Sequence, residues 1–312
     1  MQNSELPPTL AREGDMMLTA LVSDLLNAGY NDLFCTRDIR LRKPAHGIKT
    51  INADQDIWQL WNNCMYDCDA VWIIAPETDG VLFDLTCMSE QHECLLFGCS
   101  PAAVWLTASK KHTIEFLTGQ SIPCVPVIGD ITNLPDRATG WVIKPDDGVG
   151  SEGCFLFSDP GSLHQYISQH DQKKFIIQEY IQGISASISM VCHGGQSTVF
   201  GCNQQLFAFK NGKGHLSGII VNGLHKFSDQ FTNIAGQICA AIKGLSGYVG
   251  VDLVVTDQGP LVLEINPRLT TAYVGLRQSL DYNPAEFIIS VLQNKQFPAM
   301  PECQYRPVMI SL

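Results

Sequence analysis

The chain has 312 residues, enough for about two domains. Hydrophobic residues make up 45% of it and charged residues only 16%, so a sizeable core can form and wholesale disorder is excluded. Lys and Arg number 20 against 31 Asp and Glu, a net charge of -11, which excludes a general nucleic-acid-binding surface because such a surface needs many cations. Binding of a phosphate ligand would therefore depend on a few cations gathered in one place.

The cysteine pattern and the absence of long apolar runs indicate the cellular compartment. The 12 cysteines are scattered, and no pair has the C-x-x-C spacing of a zinc site. The first ten residues lack the apolar stretch of a signal peptide, and no run approaches the ~20 apolar residues of a membrane span. We therefore expect a soluble cytoplasmic protein with no membrane partner, whose cysteines are mostly small core residues.

The first hundred residues alternate between helix-like and strand-like segments. Apolar residues at helical spacing predict a helix over Glu13–Ala28. A short apolar run at Asn31–Thr36, a second helix at Gln55–Cys64 and a strand at Ala70–Ala75 follow. This alternation indicates a parallel α/β layer. Such layers normally begin with a strand, and nothing before Glu13 is apolar enough, so the first strand is either absent or precedes the given start.

From Ser100 onward the pattern changes to a helix followed by many strands. The predicted helices are Ala102–Gly119 and Phe231–Gly244, with a glycine-rich stretch over Asn211–Gly223. The predicted strands are Gly140–Lys144, Cys154–Phe157, Lys174–Tyr180, Ser187–Val191, Thr198–Phe207, Tyr248–Val255 and Leu261–Ile265.

A glycine-rich loop follows Lys144. Gly148, Gly150 and Gly153 let the backbone approach a phosphate closely and offer N–H donors, while Lys144 supplies a charge. The lysine precedes the glycines, so the pattern is not a P-loop. A strand follows instead of a helix, which favours a hairpin flap over phosphates. A plain hairpin turn is the alternative.

Two late strands carry carboxylates inside apolar sequence. Glu264 and Asn266 are two apart and face the same way on a strand. A five-residue loop, Thr256–Pro260, would pair Val255 with Leu261 and therefore Asp252 with Glu264. Two carboxylates and an amide form an oxygen set that suits Mg²⁺. An even-numbered loop would place Asp252 and Glu264 on opposite faces, and a solvated strand face is the alternative.

Two further segments are candidates for ligand contacts. Arg268 directly follows the carboxylate strand and is placed to bind a phosphate or a substrate carboxylate, with a salt bridge to nearby carboxylates as the alternative. The strand residues Gln178–Ile181 run towards Gly183 and can serve as a hinge whose backbone contacts an adenine, with a core position for Tyr180 as the alternative.

In their order and spacing, these features resemble the ATP-grasp superfamily of carboxylate–amine ligases over about Ser100–Leu280. The resemblance implies two α+β subdomains that hold ATP between them, preceded by the parallel α/β layer. It implies nucleotide contacts from Lys110, Lys144, Gly148, Gly150, Ser151, Gly153, Gln178, Glu179, Tyr180 and Ile181. It also implies that Asp252, Glu264 and Asn266 hold Mg²⁺, which Mn²⁺ can replace. Where many members have a glutamate that binds the ribose, this chain has Ser185.

Residues 12–17, 75–80 and 264–276 resemble, more closely, the tyramine–glutamate ligase branch of methanofuran-type cofactor biosynthesis. This resemblance implies an ADP-forming ligase that joins a small carboxylate, such as glutamate, to an amine through an acyl phosphate. Lys144 and Arg268 would be catalytic, Arg268 would also contact substrate, and Glu77 would hold the amine. An ATP-grasp kinase and a non-catalytic nucleotide-binding module are the alternatives, and a homodimer is compatible with the resemblance.

The same resemblance suggests three domains. Residues 1–100 would form the pre-ATP-grasp layer, residues 101–182 a small subdomain with the glycine loop, and residues 183–312 a large subdomain with the metal site.

Overall fold

A computed structural model describes residues 6–38, 40–41, 49–52, 56–130, 134, 139–150, 152–171, 174–301 and 303–312. Within this part of the chain, no helix combines the length and apolar character needed to cross a membrane. Most of the cysteines are buried, as expected for small core residues.

The N-terminal elements form a small α/β layer. They are α1 (Pro8–Asn27), β1 (Phe34–Arg37), β2 (Lys49–Asn52), α2 (Ile57–Tyr66), β3 (Ala70–Val71), a 3-10 turn (Thr78–Gly80), α3 (Val81–Gln91) and β4 (Leu95–Leu96). Strand β1 pairs in parallel with β2, and β3 pairs in parallel with β4. The prediction of a parallel layer is therefore confirmed, in the form of two short two-stranded sheets.

Two predicted boundaries in this layer were wrong. Helix α1 begins at Pro8, not Glu13, because proline fits the first helical position; residues 7–10 are exposed and carry no apolar stripe. Within the run Ala70–Ala75, only the first two residues pair as a strand. The rest is apolar for another reason, since Ile73 packs on one core cluster and Trp72 on another. The predicted start of α2 at Gln55 lies outside the described residues.

The remaining elements build one large sheet with helices on both faces. The helices are α4 (Pro101–Ala108), α5 (Lys110–Gly119), α6 (Pro160–Ser168), α7 (Ser228–Ala241), α8 (Tyr273–Leu280) and α9 (Pro284–Asn294). The strands are β5 (Trp141–Pro145), β6 (Phe155–Phe157), β7 (Phe175–Glu179), β8 (Ile184–His193), β9 (Gln196–Lys210), β10 (Lys213–Val221), β11 (Gly247–Thr256), β12 (Gly259–Asn266) and β13 (Val308–Ser311).

The sheet order is β12-β11-β8-β9-β10-β6-β5-β7, and β13 pairs with β10. Strands β5 and β6 are antiparallel neighbours, so the predicted hairpin around the glycine loop is confirmed. The stretch over Asn211–Gly223 was predicted only as glycine-rich, yet most of it forms strand β10. The predicted single helix Ala102–Gly119 is two helices, because Ser109 is extended and its side chain caps α5 by accepting from His112 N.

Three apolar clusters hold the elements together. One lies under α4, α5 and α7, and a second joins α1, α8 and α9 to the sheet around residues such as Phe200 and Tyr248. A third, smaller cluster joins β5 and β7 to α6 through Trp141 and Leu163. The core therefore fixes both strands that carry the candidate carboxylates and the strand that carries Lys144.

Candidate active site

One cavity of about 280 Å³ collects most of the residues predicted from the sequence. It lies between the β5–β6 loop, the segment after β7, and the β11–β12 hairpin. Its lining includes Lys110, Lys144, Gly148, Gly150, Gln178, Glu179, Tyr180, Ile181, Ser185, Asp252, Glu264, Asn266 and Arg268. Gly153 and Glu77 are not part of the lining, and Ser151 lies outside the described residues.

Asp252 and Glu264 face each other on β11 and β12, as predicted, but by a different register. The connection is a two-residue turn, in which Thr256 pairs with Gly259 and Val254, not Val255, pairs with Leu261. An even turn alone would put the two carboxylates on opposite faces. A β-bulge at Leu263 inserts one extra residue and restores the opposition of Asp252 to Glu264.

Lys110 and Lys144 converge on this carboxylate pair. The Glu264 Oε2 atom lies 3.5 Å from Lys110 Nζ and 3.7 Å from Lys144 Nζ. Lys144 Nζ also donates to the carbonyl of the bulged Leu263 at 3.3 Å. Lys110 Nζ donates to the Gly148 carbonyl at 2.7 Å. The two lysines therefore connect the carboxylate strand to the glycine loop.

The pKa values of the two carboxyl groups shift in opposite directions. Burial, reinforced by the negative charge of Glu264, raises the pKa of Asp252. Burial would also raise the pKa of Glu264, but Lys110 and Lys144 outweigh it and lower that pKa. Burial lowers the pKa of Lys144, and the neighbouring Lys110 acts in the same direction. The two lysines therefore keep Glu264 charged, while Asp252 lies close to a like charge.

The oxygen set fits a hard divalent cation. Asp252 and Glu264 supply carboxylate oxygens, and Asn266 supplies an amide oxygen from the same lining. Among the described residues, no group of three or more His, Cys, Asp and Glu side chains could hold a metal by themselves. A metal here would therefore need Asn266 and substrate oxygens among its ligands, as Mg²⁺ commonly does with nucleotides.

Three glycines shape the β5–β6 loop around Pro145. A Cβ atom on either Gly148 or Gly153 would lie 2.8 Å from Pro145 side-chain atoms. Gly150 and Gly153 have φ values of +67° and +72°, a region that L side chains rarely adopt. Gly153 thus shapes the loop from outside the cavity, while Gly148 and Gly150 line it.

Asp146 was not predicted from the sequence, yet it fixes the loop to helix α5. Its carboxylate accepts hydrogen bonds from Ser109 Oγ at 2.7 Å and from Lys111 N at 2.8 Å. Its carbonyl accepts from Lys110 N at 3.0 Å. A carboxylate at a helix N-terminus is favourable, and here it also sets the direction of Lys110. The break between α4 and α5 at Ser109 is the signal that could have identified this contact.

The segment after β7 lines the cavity beside apolar side chains. Gln178 is buried, and its amide donates to the Val125 carbonyl at 2.6 Å, so this side chain has a structural contact of its own. The Tyr180 ring packs edge-on against Phe209 at 5.8 Å. Ser185 lies opposite Val254 on the neighbouring strand. The sequence after β7 thus supplies backbone and apolar surface of the kind that a flat base would contact.

Arg268 pairs with Glu77 of the N-terminal layer. Arg268 Nε and one terminal nitrogen lie 2.9 Å and 2.8 Å from Glu77 Oε2. Burial opposes the charge of Arg268, but the Glu77 carboxylate outweighs it and raises the pKa of Arg268. Arg268 thus forms a salt bridge, but with Glu77 and not with the nearby carboxylates considered in the sequence. Arg268 still lines the cavity, whereas Glu77 lies behind it, only 6% exposed.

Several cavity-lining residues were missed in the sequence, among them Gln205 and Glu13. Gln205 of β9 donates to Asp252 Oδ1 at 2.9 Å. Glu13 of α1 lines the cavity, and its Oε2 accepts a hydrogen bond from Thr271 Oγ1 at 2.6 Å. Glu13 belongs to the segment 12–17 that carries the closer resemblance, and this could have drawn attention to it.

Comparisons with known proteins agree with this geometry. A family model described as an ATP-grasp domain matches residues 107–272, and one described as a pre ATP-grasp domain matches residues 31–104. The tyramine–L-glutamate ligase of Methanocaldococcus fervens is 29% identical over 294 residues, which is 92% of this chain and 89% of the relative. That of Methanocaldococcus jannaschii is 30% identical over 230 residues, 73% of this chain and 64% of the relative.

Solved structures share the fold. An ATP-grasp superfamily protein from Archaeoglobus fulgidus has a TM-score of 0.69 and 23% identity, covering 96% of this chain and 92% of its own. The L-amino acid ligase from Bacillus licheniformis has a TM-score of 0.70 and 14% identity, covering 94% and 78%. With the family model matching more than half of its length, this chain belongs to the ATP-grasp family, as a pre-ATP-grasp layer followed by an ATP-grasp domain.

Proposed function

We propose that this protein is an ATP-dependent ligase that joins the carboxylate of glutamate to the amine of tyramine, with an acyl phosphate as intermediate. The cavity that brings Lys110 and Lys144 to the Asp252–Glu264 pair, with Arg268 in the same lining, carries this proposal. The similarity to the two tyramine–L-glutamate ligases supports the choice of substrates.

The reaction consists of two displacements. A carboxylate oxygen attacks the γ-phosphorus of ATP, and ADP leaves. The amine nitrogen then attacks the acyl carbon, loses a proton, and phosphate leaves as the amide bond forms. Phosphoryl transfer of this kind depends mainly on positioning and charge neutralisation, because little covalent chemistry falls to the protein.

Lys110 and Lys144 neutralise the phosphates. Both contact Glu264 in this structure, and a nucleotide phosphate would compete for the same ammonium groups. Asp252, Glu264 and Asn266 would hold Mg²⁺, with Mn²⁺ as a substitute. When bound, the ion supplies positive charge at the transferred phosphoryl group.

Arg268 orients the reacting groups at one end of the cavity, and Glu77 holds its guanidinium in place through Nε and a terminal nitrogen.

The glycine loop covers the site. It is attached to the N-terminal layer, where Thr78 Oγ1 donates to the Asp147 carbonyl at 3.0 Å and Asp79 N donates to the Asp147 carboxylate at 3.1 Å. A closed loop keeps water from the acyl phosphate, which would otherwise hydrolyse.

The nucleotide base would lie against the segment after β7, with Glu179, Tyr180 and Ile181 in its lining. Ser185 would contact the ribose in place of the glutamate of many family members. The nearby apolar side chains, such as Phe207, suit a flat ring.

The first test measures ADP release with glutamate and tyramine, together with the condensed product by mass spectrometry. We expect ADP only when both substrates are present, and an amide product in equal amount. Carboxylate-dependent ADP without condensation would indicate a kinase, and nucleotide binding without ADP would indicate a non-catalytic module.

Glu264→Ala tests the metal assignment. We expect this variant to form no measurable ADP, because it loses both the carboxylate ligand and the partner that orients Lys110 and Lys144. Glu115→Ala is the control, since Glu115 is 57% exposed and pairs only with a surface lysine of the same helix. Turnover of Glu264→Ala at the wild-type rate with saturating Mg²⁺ would contradict the assignment.

A further inference from the structure

Glu13 reaches the cavity from the N-terminal helix. Its Oε2 atom accepts the hydrogen bond of Thr271, three residues after Arg268. Its Oε1 atom lies 3.8 Å from the position that a Cβ atom on Gly150 would occupy. The carboxylate is thus placed between the arginine segment and the glycine loop, the two parts of the cavity that would enclose the reacting groups.

Among the described residues, no cationic side chain pairs with Glu13. Glu264 forms salt bridges with two lysines, and Arg268 forms one with Glu77. Within the described part of the chain, Glu13 forms no salt bridge, and Thr271 is its side-chain hydrogen-bond partner. A carboxylate that lines a cavity for anionic phosphates would repel them, unless a cationic group of a ligand lies between. An ammonium group has the required charge and can donate to a carboxylate.

We propose that Glu13 is the subsite that binds a substrate ammonium group, an inference that rests on the proposed ligase function. Both substrates carry such a group: the α-ammonium of the amino acid that supplies the carboxylate, and the ammonium form of the amine, which loses a proton before its nitrogen attacks. Glu77 is a poorer candidate, because it is buried behind the cavity and contacts Arg268 through two hydrogen bonds. Glu13 would take over the role suggested for Glu77 if the group that it binds is the attacking amine.

Glu13→Gln tests this inference, because the amide has the same shape and can still accept from Thr271 while its charge is lost. We expect the KM of the ammonium-bearing substrate to rise about 10- to 100-fold, the range for losing one hydrogen bond to a charged group. The KM for ATP should stay unchanged.

Substrate analogues identify which ammonium group is bound. Glutarate replaces glutamate without its α-ammonium, and hydroxylamine replaces tyramine with a nucleophile that is largely neutral near pH 7.5. If the penalty of Glu13→Gln disappears with glutarate, Glu13 binds the α-ammonium. If it disappears with hydroxylamine, measured as hydroxamate, Glu13 binds the attacking amine. Either result supports the proposal.

Controls separate this subsite from a structural role. Glu286→Gln makes the same charge change at an exposed position in the first turn of α9, and should leave all constants unchanged. Glu13→Asp keeps the charge and should recover part of the affinity. An equal loss with every substrate pair, or no loss with any, would overturn the proposal. Failure of the ligase function itself would appear as absence of amide in the wild-type protein.

Discussion

Asp252 and Glu264 are neighbours across two strands, yet they hold their protons very differently. Glu264 owes its charge to Lys110 and Lys144, which outweigh the effect of burial on its pKa. Asp252 lies next to that charge, and the neutral Gln205 donates a hydrogen bond to its Oδ1 atom at 2.9 Å. The pair therefore carries about one negative charge near neutral pH, which a divalent cation would change.

Mg²⁺ affinity should consequently depend on pH. Burial and the Glu264 charge raise the pKa of Asp252 to about 8 in the metal-free protein, so Mg²⁺ must displace a proton below that pH. Raising the pH removes this proton. We expect the affinity to increase from about pH 6 to about pH 8 and to level off above. Calorimetry in buffers of different ionisation enthalpy would measure the released proton. An affinity independent of pH, with no proton release, would contradict this prediction, and Asp252→Asn should abolish the dependence.

The connection between β7 and β8 is packed directly on β11. A Cβ atom added at Gly183 would lie 2.5 Å from the Val255 carbonyl and 2.6 Å from Val254 Cγ2. Neither atom belongs to a flexible side-chain end, and Val254 is two residues from Asp252. The segment after β7 and the strand that carries Asp252 are thus in close contact at a single glycine.

Gly183→Ala should therefore disturb both the segment after β7 and strand β11. We expect the free energy of unfolding to fall by about 1–3 kcal/mol, as for other overpacked sites, and the KM for ATP to rise. Gly236→Ala is a matched control, since this glycine lies inside α7 with nothing within 4 Å of an added Cβ. That substitution should raise the free energy of unfolding by about 1 kcal/mol because alanine favours helix. Urea denaturation of both variants measures the difference. A Gly183→Ala protein as stable as the wild type would show that β11 can shift freely.

Across the whole molecule, helix α1 joins the start of the chain to its C-terminal part. Asp24 is buried, and its carboxylate accepts from Tyr273 at 2.8 Å and from Arg277 at 3.0 Å, both on α8. The Glu77–Arg268 pair and the Asp147 contacts further connect the N-terminal layer to the ATP-grasp domain. The domain boundaries proposed after residues 100 and 182 remain predictions. Because these contacts join the two parts of the chain, we expect the whole protein to unfold in one step.

Tyr273→Phe tests this link. The buried Asp24 loses a donor, so we expect the free energy of unfolding to fall by about 1–3 kcal/mol. Tyr282→Phe is the control, because its hydroxyl makes a long contact of 3.9 Å with the Met300 sulfur. Fluorescence and circular dichroism should report one shared transition for each variant. Two separate transitions would show that the N-terminal layer unfolds by itself.

Lys144, the glycine loop and the strands that carry Asp252 and Glu264 could be identified as candidate site segments from the sequence, because each is a short local pattern. The pairing of Asp252 with Glu264 was predicted correctly from an incorrect turn, since a bulge at Leu263 compensates for a shorter connection. Residue alternation cannot reveal a bulge in a run of apolar residues. Glu13 was not predicted as a cavity residue, because its partner Thr271 is 258 positions away and the resemblance of segment 12–17 gave it no role. Its helix showed only a core-facing stripe.

The bulge at Leu263 also has a consequence for protein engineering. The side of the sheet on which Glu264 lies is set after the turn, by the bulge at Leu263. Lys144 donates a hydrogen bond to the carbonyl of this residue. The tip at Asp257 and Gln258 is exposed and is not part of the cavity lining. Loop grafts, affinity tags or a circular-permutation break can therefore be introduced at this tip, whereas deletion of the single residue Leu263 would turn the carboxylate strand over.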